Sequence, residues 1–313
     1  MTVLLEGRAT EAQIAGFLVA LKIKGETAAE LAGFARAMRE KMIVVDAGPD
    51  VVDTAGTGGD GSGTFNISTV AAIVMAGAGA RVAKHGNRSL ASASGSADVL
   101  EALGVRIAMT PEEAARAVRE VGIGFLFAPA LHPAMKFAQP VRRDLKLRTA
   151  FNLLGPLANP ARARFQLIGA PSPAAARLMA EALAELGTTR SFVVHGHDGL
   201  DEVSTSGPTD VYEVTAAGVR KQLWTPADFG VHRAALDTLA GGEPARNAQI
   251  ARKILSGQPG APRDIVLVNA SVGLVACGLA SDLKTGMVLS AHAIDSGAAQ
   301  QKLAALQENF PAS

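Results

Sequence analysis

The spacing of apolar residues divides the chain into a helical opening and a longer stretch in which short strands alternate with helices. Near the start, Ile14, Phe17, Leu18 and Leu21 recur at i, i+3, i+4 and i+7, and Leu31, Phe34, Ala35 and Met38 repeat that spacing. Each run sits behind a threonine with a partner three residues on, Thr10 with Gln13 and Thr27 with Glu30. Such pairs satisfy the orphan N–H groups at a helix start. Gly25 suits the left-handed position that ends a helix. These features predict a helical hairpin with one apolar stripe per helix, and each stripe needs a partner.

Beyond the turn at Gly48-Pro49-Asp50 the pattern changes. Short apolar runs predict strands over 51–54, 80–83, 123–127, 165–169 and 191–194, with helices over 68–78 and 97–103 between them. Thr110-Pro111-Glu112-Glu113 opens a further helix, with Pro in the first position and Glu at the third, and Ser172-Pro173 opens another. Strand–helix alternation of this kind implies right-handed βαβ units and a mostly parallel central sheet flanked by helices. The stretch 131–159 shows no strand and reads as helical or irregular. Paired with the N-terminal hairpin, it predicts a small helical domain, 1–48 plus 130–159. A large α/β domain, 49–129 plus 160–313, takes the rest.

Composition narrows this picture. At 313 residues with 48% hydrophobic and 19% charged, the chain affords a sizeable core and is not disordered. The net charge of +1 argues against nucleic acid as a partner. Cys277 is the one cysteine, so neither an internal disulfide nor a zinc cluster of cysteines is available, and a reducing compartment fits. No charged-then-apolar leader and no apolar window of membrane length occurs, so a soluble, cytoplasmic chain with no membrane partner is expected.

Three loops carry candidate chemistry. Gly56-Thr57-Gly58-Gly59-Asp60-Gly61 follows a strand and satisfies the spacing of a dinucleotide-binding turn. That reading requires an acidic residue about 20 positions on, where the chain carries the basic Arg81 and Lys84. What remains is a loop rich in backbone N–H groups, followed by Thr64-Phe65-Asn66-Ile67-Ser68-Thr69 at a helix start, which favours phosphate. A glycine-rich turn with an ordinary helix cap is the alternative. The second loop, Lys84-His85-Gly86-Asn87-Arg88-Ser89 with Ser92, Ser94 and Ser96, again offers a cation and hydroxyls to phosphate. Its alternative is a polar surface loop with Lys84 solvated. Loops after neighbouring strands converge at the carboxyl edge of an open α/β sheet. In the third, His195-Gly196-His197-Asp198-Gly199-Leu200-Asp201-Glu202, a zinc or dinuclear hydrolase site needs more soft ligands than the chain supplies nearby. Adjacent Asp201 and Glu202 better suit Mg²⁺, a hard ion that carboxylates, waters and ligand phosphates hold together. An acidic surface turn remains the bland reading.

Taken jointly, Asp53-Thr54-Ala55-Gly56-Thr57-Gly58-Gly59-Asp60, Asn66-Ile67-Ser68-Thr69 and Lys84-His85-Gly86-Asn87-Arg88 resemble the signature loops of the anthranilate phosphoribosyltransferases. This family lies within the superfamily of nucleoside phosphorylases and phosphoribosyltransferases. His132-Pro133-Ala134-Met135-Lys136, the run from Arg148 to Pro156, Gly199-Leu200-Asp201-Glu202 and the tail from Asp264 through Asn269-Ala270 continue the likeness across essentially the whole chain. The resemblance implies a hinge between the two domains and an active site between them. It places PRPP over Gly56, Gly59, Asp60, Thr64, Asn66, Ile67, Ser68, Thr69, Lys84, His85, Gly86, Asn87, Arg88, Ser89, Ser92 and Ser96. It gives Mg²⁺ to Asp201 and Glu202, with a second ion at Ser68, and anthranilate to Gly56, Asn87, His132, Arg142 and Pro156. Arg142 suits a carboxylate because a guanidinium binds it in bidentate fashion and stays charged when buried. On residues alone, Arg142 reads as a solvated helix arginine beside Arg143.

The implied chemistry is displacement at the ribose anomeric carbon, for which no catalytic acid or base stands out in the sequence. Positioning and charge stabilisation would carry it. Two relatives with this fold compete. A pyrimidine nucleoside phosphorylase differs at the lysine loop and usually has a longer chain. A nucleic-acid-binding relative without catalysis loses acceptor residues, whereas Asn87 and Arg142 are present here. Members of the family usually carry one more helix ahead of the segment that begins here at Leu4-Leu5-Glu6-Gly7. The expectation is therefore a homodimer through the helical domain, with Leu4, Leu5 and the first stripe covered less completely and the interface weakened.

Overall fold

The computed structural model describes residues 1–58, 60–89 and 93–312; Gly59 and Ser92, both expected at the phosphate site, lie outside them. The helical opening forms as its caps predict. After a short α1 (Thr2–Leu5) come α2 (Glu11–Lys24) and α3 (Ala28–Lys41), the latter two each closed at its start by a capping box on Thr10 or Thr27. Gly25 follows α2 at φ 84°. Leu4, Leu5, Ile14, Leu18 and Leu21 are buried within the single chain. All but Leu21 belong to a cluster with Ala138, Val141, Phe151, Leu154 and Leu157. The stretch 131–159 folds back on the hairpin and covers this surface, so Leu4, Leu5 and most of the first stripe are not left bare. Of the stripe, Phe17 alone stays 38% exposed, edge-on to Phe34 at 5.8 Å.

The rest alternates as expected. In order come β1 (Val51–Gly56), α4 (Ile67–Gly77), β2 (Arg81–Gly86), α5 (Ser96–Ala102), α6 (Pro111–Arg116), β3 (Ile123–Phe127), α7 (Ala128–Leu131), α8 (Gln139–Leu145) and α9 (Phe151–Leu154). They are followed by β4 (Phe165–Gly169), α10 (Pro173–Leu186), β5 (Arg190–Gly196), β6 (Thr209–Thr215), β7 (Gly218–Trp224), α11 (Pro244–Leu255), α12 (Ala261–Ala276), α13 (Leu283–Asp295) and α14 (Ala298–Asn309). The seven-stranded sheet runs β3-β2-β1-β4-β5-β6-β7. Its first five strands are parallel, and β6 and β7 add an antiparallel hairpin at one edge. The apolar-run expectations do not include that hairpin.

Two cores lie on the two faces of the sheet, and the strands show it by alternation. Leu167, Phe192, Val194 and Val211 join the cluster that contains α4 and α12. Ile168, Val193, Tyr212 and Val214 face the other way, into the cluster shared by α10 and the helical opening. Strands buried on both faces read as continuous apolar runs, which is why the parallel ones are legible in the sequence. The decisive feature for function is the strand order. The chain moves outward from β1 to β2 and β3, then returns to place β4 on the other side of β1. The direction reverses between β1 and β4, and at such a point the carboxyl ends of the strands leave a crevice for ligands.

Candidate active site

Asp201 and Glu202 sit at that reversal. Gly56 ends β1 and Gly169 ends β4, and the two are paired across the sheet. A Cβ on Gly56 would stand 2.5 Å from the Asp201 carboxylate, and one on Gly169 would overlap the Asp201 carbonyl oxygen. Both strands end in glycine because the acidic loop passes directly over them. Asp201 Oδ2 accepts the Gly58 N–H at 2.8 Å, and Glu202 Oε1 accepts the Ser68 N–H at 3.0 Å. The first turn of α4, expected to face a phosphate, thus holds a carboxylate of the chain itself. Beneath it, the buried Lys84 ammonium donates to the Thr54 carbonyl at 2.6 Å and to Ser68 Oγ at 3.4 Å.

The electrostatics of this cluster are tense. Burial and the neighbouring Asp60 push the Asp201 carboxyl up to about 6. Burial and Asp201 raise Glu202 well above the usual carboxylate range, with Lys84 pulling the other way. Burial lowers the Lys84 ammonium, while Asp53 and Glu202 hold it up. Two crowded carboxylates beside a serine hydroxyl form an oxygen donor set suited to a hard divalent cation, whose charge would relieve the repulsion. Among the described residues no three His, Cys, Asp or Glu side chains converge into a ready-made cage. The set therefore suits an ion completed by waters and ligand oxygens.

The second loop is bound to the first through amides. Asn66 donates to the Ser94 carbonyl at 3.0 Å and accepts from Ser94 Oγ and from the buried Asn247 amide, 2.9 Å away. Asp98, in the first turn of α5, gathers the loop by accepting from the Ser89 and Gly95 N–H groups and from Arg88. Arg88 also reaches Glu101 at 2.8 Å, so its charge is already paired within the loop and α5.

The helical side supplies the facing groups. His85 turns its ring away from the phosphate loops, with Nδ1 at 3.1 Å from the Gly155 carbonyl and the ring 5.1 Å from that of His132. Both imidazoles are buried, and among the described residues neither Nε2 has a partner. Burial and the adjacent His132 lower His85 to about 3, and burial lowers His132 to about 4, so both are neutral. Arg142 on α8 lies 5.2 Å over the Phe151 ring, and no carboxylate among the described residues pairs with it. Burial lowers its pKa. Arg148 Nη2 reaches the Gly58 carbonyl at 3.0 Å, tying this stretch to the glycine loop.

Residues 1–42 match the helical bundle domain of a glycosyl transferase family, and residues 48–300 match its a/b domain. Anthranilate phosphoribosyltransferase of Solibacter usitatus is 60% identical over 98% of this chain and 92% of its own length, and that of Desulforamulus reducens is 53% identical over 98% and 90%. The crystal structure of the Thermus thermophilus enzyme superposes with a TM-score of 0.93 at 44% identity, covering 98% of this chain and 92% of that one. The Saccharomyces cerevisiae enzyme in complex with PRPP and Mg gives 0.88 at 30% identity, covering 96% and 85%. The chain belongs to the anthranilate phosphoribosyltransferase family.

Against what that family implies, the residues sort unevenly. Gly56, Asp60, Ser68, Lys84, Asp201 and Glu202 are gathered at the sheet reversal by the contacts above. Thr64 stands at the far end of the glycine loop, bridged to Ala240. Asn87 and Ser96 meet through the Asn87 carbonyl, which accepts from Ser96 Oγ at 3.3 Å. Gly86 admits no side chain, since a Cβ there would collide with Ser96 Oγ. Ile67 and Thr69 depart from the expectation. The Ile67 side chain is core, and Thr69 is buried against a small cavity with Leu100, Val105 and Phe125. Pro156 is buried, with its carbonyl taken by Gln166 at 2.8 Å. The sequence reading gives no site role to Asp98, Asn247, Gly169 or Arg148, the last of which it names only within the family-like run to Pro156. Asp98 stands three residues after Gly95, the spacing of a capping box, and was open to detection. The other three act only across the fold.

Proposed function

We propose that the reversal between β1 and β4 binds PRPP and that the stretch 131–159 offers the amine acceptor anthranilate to it, giving N-(5-phosphoribosyl)anthranilate and pyrophosphate. The meeting of Asp201 and Glu202 with the glycine loop and the first turn of α4 carries this reading. PRPP phosphates lie along Gly56, Gly59, Asp60, Thr64, Asn66, Ser68, Lys84, Gly86, Asn87, Ser89, Ser92 and Ser96, while Ile67, Thr69, His85 and Arg88, whose N–H groups go to Phe65, Asn66, Asp53 and Asn87, shape the loops that hold them. Arg142 takes the anthranilate carboxylate, and Gly56, Asn87, His132 and Pro156 border the ring. An unpaired, half-buried guanidinium supports that assignment, because burial without a partner is costly and a ligand carboxylate offsets it.

Asp201, Glu202 and Ser68 would hold Mg²⁺, which neutralises the pyrophosphate so that it departs as a weak base. The amine nitrogen forms a bond to the anomeric carbon as the bond to the pyrophosphate oxygen breaks, with inversion, and the amine proton passes to solvent. The residues orient, since neutral imidazoles at His85 and His132 add no positive charge to repel the cationic anomeric carbon. Closure of 1–48 plus 130–159 upon 49–129 plus 160–313 excludes water that would hydrolyse PRPP. The lone Cys277 agrees with a cytoplasmic setting, and no helix among the described residues is long and apolar enough to cross a membrane.

The test is anthranilate fluorescence, which should decay only when PRPP and Mg²⁺ are both present; decay with either omitted would overturn the reading. A homodimer through the helical part is the second element. Phe17, Ile23, Ile43 and Val44 are exposed on or just after α2 and α3 and supply apolar contact. Sedimentation velocity over a dilution series should show a dimer that dissociates near micromolar concentration, and a monomer throughout would remove it.

A further inference from the structure

Between β5 and β6 the chain has neither helix nor strand from Leu200 to Pro208, yet it carries both acidic residues of the site. Side chains from elsewhere fix it. Asn269, on the buried helix α12, is wholly inaccessible. Its Oδ1 accepts the Val203 N–H at 2.9 Å, while its Nδ2 donates to the Val203 carbonyl at 3.0 Å and to the Ile265 carbonyl at 2.9 Å. One amide thus satisfies both backbone polar groups of the residue next to Glu202. An asparagine inside an apolar helix is unfavourable unless every polar atom is paired, and here each is. Leucine would leave the Val203 groups buried and unmade; aspartate would keep the acceptor and lose the donor. Asn269 was marked in the sequence by the tail likeness alone, with no role attached.

We infer that Asn269 is a positioning residue for the metal-binding carboxylates: by clamping Val203 to α12 it sets Glu202 against Ser68 and, one residue further, Asp201 against Gly58. The inference rests on the reading of Asp201 and Glu202 as Mg²⁺ ligands. It requires a loss of metal-dependent binding out of proportion to any loss of stability.

The experiment compares Asn269→Leu and Asn269→Asp with Leu274→Ala, a core truncation on the same helix. PRPP is titrated calorimetrically with Mg²⁺ and with chelator, and Mn²⁺ binding is counted by electron paramagnetic resonance. Asn269→Leu should weaken Mg²⁺-dependent PRPP binding about tenfold or more, the usual scale for groups that orient metal ligands. Asn269→Asp should fall between it and wild type, and Leu274→Ala should change binding little at equal thermal destabilisation. Wild-type binding by a folded Asn269→Leu, or an equal loss in Leu274→Ala, overturns the inference. Glu202→Gln run beside them separates the two readings. If it alone loses metal dependence, the clamp fails and the metal assignment stands; if Glu202→Gln keeps it, both fall. Should no Asn269 variant fold, amide exchange at Val203 in the unliganded wild-type chain decides. Protection on the scale of the α12 core supports the clamp, and exchange at the rate of an open loop overturns it.

Discussion

On the strand side of the site, charged groups are satisfied by the chain: Glu202 by Ser68, Asp201 by Gly58, Lys84 by Thr54, and Arg88 by Asp98 and Glu101. Facing them, among the described residues, Arg142 has only an aromatic face, and the Nε2 atoms of His132 and of His85, near the end of β2, have no partner. A buried polar group left unmade costs about 1–3 kcal/mol; on the strand side the unpaired groups are the neutral hydroxyls of Thr57, Thr69 and Thr205, whereas facing them they are imidazoles and a guanidinium. The difference suits the ligands that the proposed function gives each side. Phosphates and a cation would enter a pre-wired lattice of loops whose carboxylates repel one another. The acceptor would enter a wall whose guanidinium and imidazoles have no hydrogen-bond partner among the described residues.

The sharpest way to break this comparison is to remove the charges of the strand wall. Asp201→Asn with Glu202→Gln should lower kcat to below about a hundredth of wild type, since ligand loss exceeds the effect of merely disturbing ligand orientation. The fold should survive, because an amide still accepts from the Gly58 and Ser68 N–H groups. Turnover is measured beside a thermal melt. Retention of more than about a tenth of wild-type activity would show that these carboxylates serve the loop and hold no metal.

The helical wall is tested by Arg142→Ala. A lost charge-assisted pair costs about 1.5–3 kcal/mol, which is a rise of about 10- to 150-fold in the anthranilate KM. PRPP affinity should stay as it was, since the proposed function gives the two walls different ligands. Steady-state kinetics and a PRPP titration read the two effects separately, and a matching collapse of PRPP binding would merge the walls into one.

Gly169→Ala probes how closely the acidic loop is seated on the strands. The added methyl meets backbone, which cannot swing aside as a side chain can. Overpacking of this kind costs about 1–3 kcal/mol, visible as a lower denaturation midpoint with weakened Mg²⁺ dependence. Unchanged values for both would mean that the loop rides higher over β4 than the structure has it.

The strand wall was far more legible in the sequence than the helical one. Gly56, Asp201 and Glu202 stand at or beyond a strand end, and Lys84 in the second half of β2, each inside a compact motif, so chain order alone brings them to one edge. The family likeness named His132 and Arg142, but their state was hidden. That Arg142 lacks a carboxylate, or that His85 turns toward Gly155, depends on contacts between segments far apart in the chain. The β6–β7 hairpin escaped for a different reason. Glu213 lies inside the strand as the partner of Arg190 and Arg220, so the apolar run that marks the other strands is broken there. The pairing of 131–159 with the opening hairpin was legible, but how completely it buries Leu4 and Leu5 was not, because that depends on packing between segments more than a hundred residues apart.

The smallest effect distinguishes the walls by pH. Burial keeps His85 neutral down to about 3 and His132 down to about 4, whereas histidines of the unfolded chain titrate near 6.5. Below that value the unfolded chain binds more protons. The histidine contribution to stability is therefore complete above about pH 6.5 and is lost as pH falls toward 4, with a slope of at most about 1.4 kcal/mol per unit per imidazole. Asp53 and Asp201 act in the opposite sense, since burial raises each to about 6 and their protonated forms favour the folded chain as pH drops. Total stability can thus look flat between about pH 6.5 and 5 while two opposed slopes cancel. The difference between wild type and His132→Gln in urea unfolding at each pH removes the carboxylate part. Wild type should lose its advantage over the variant steadily as pH falls below about 6.5. A constant difference would mean that His132 takes up its proton in the folded state, and the helical wall would then be positively charged rather than neutral and unpaired.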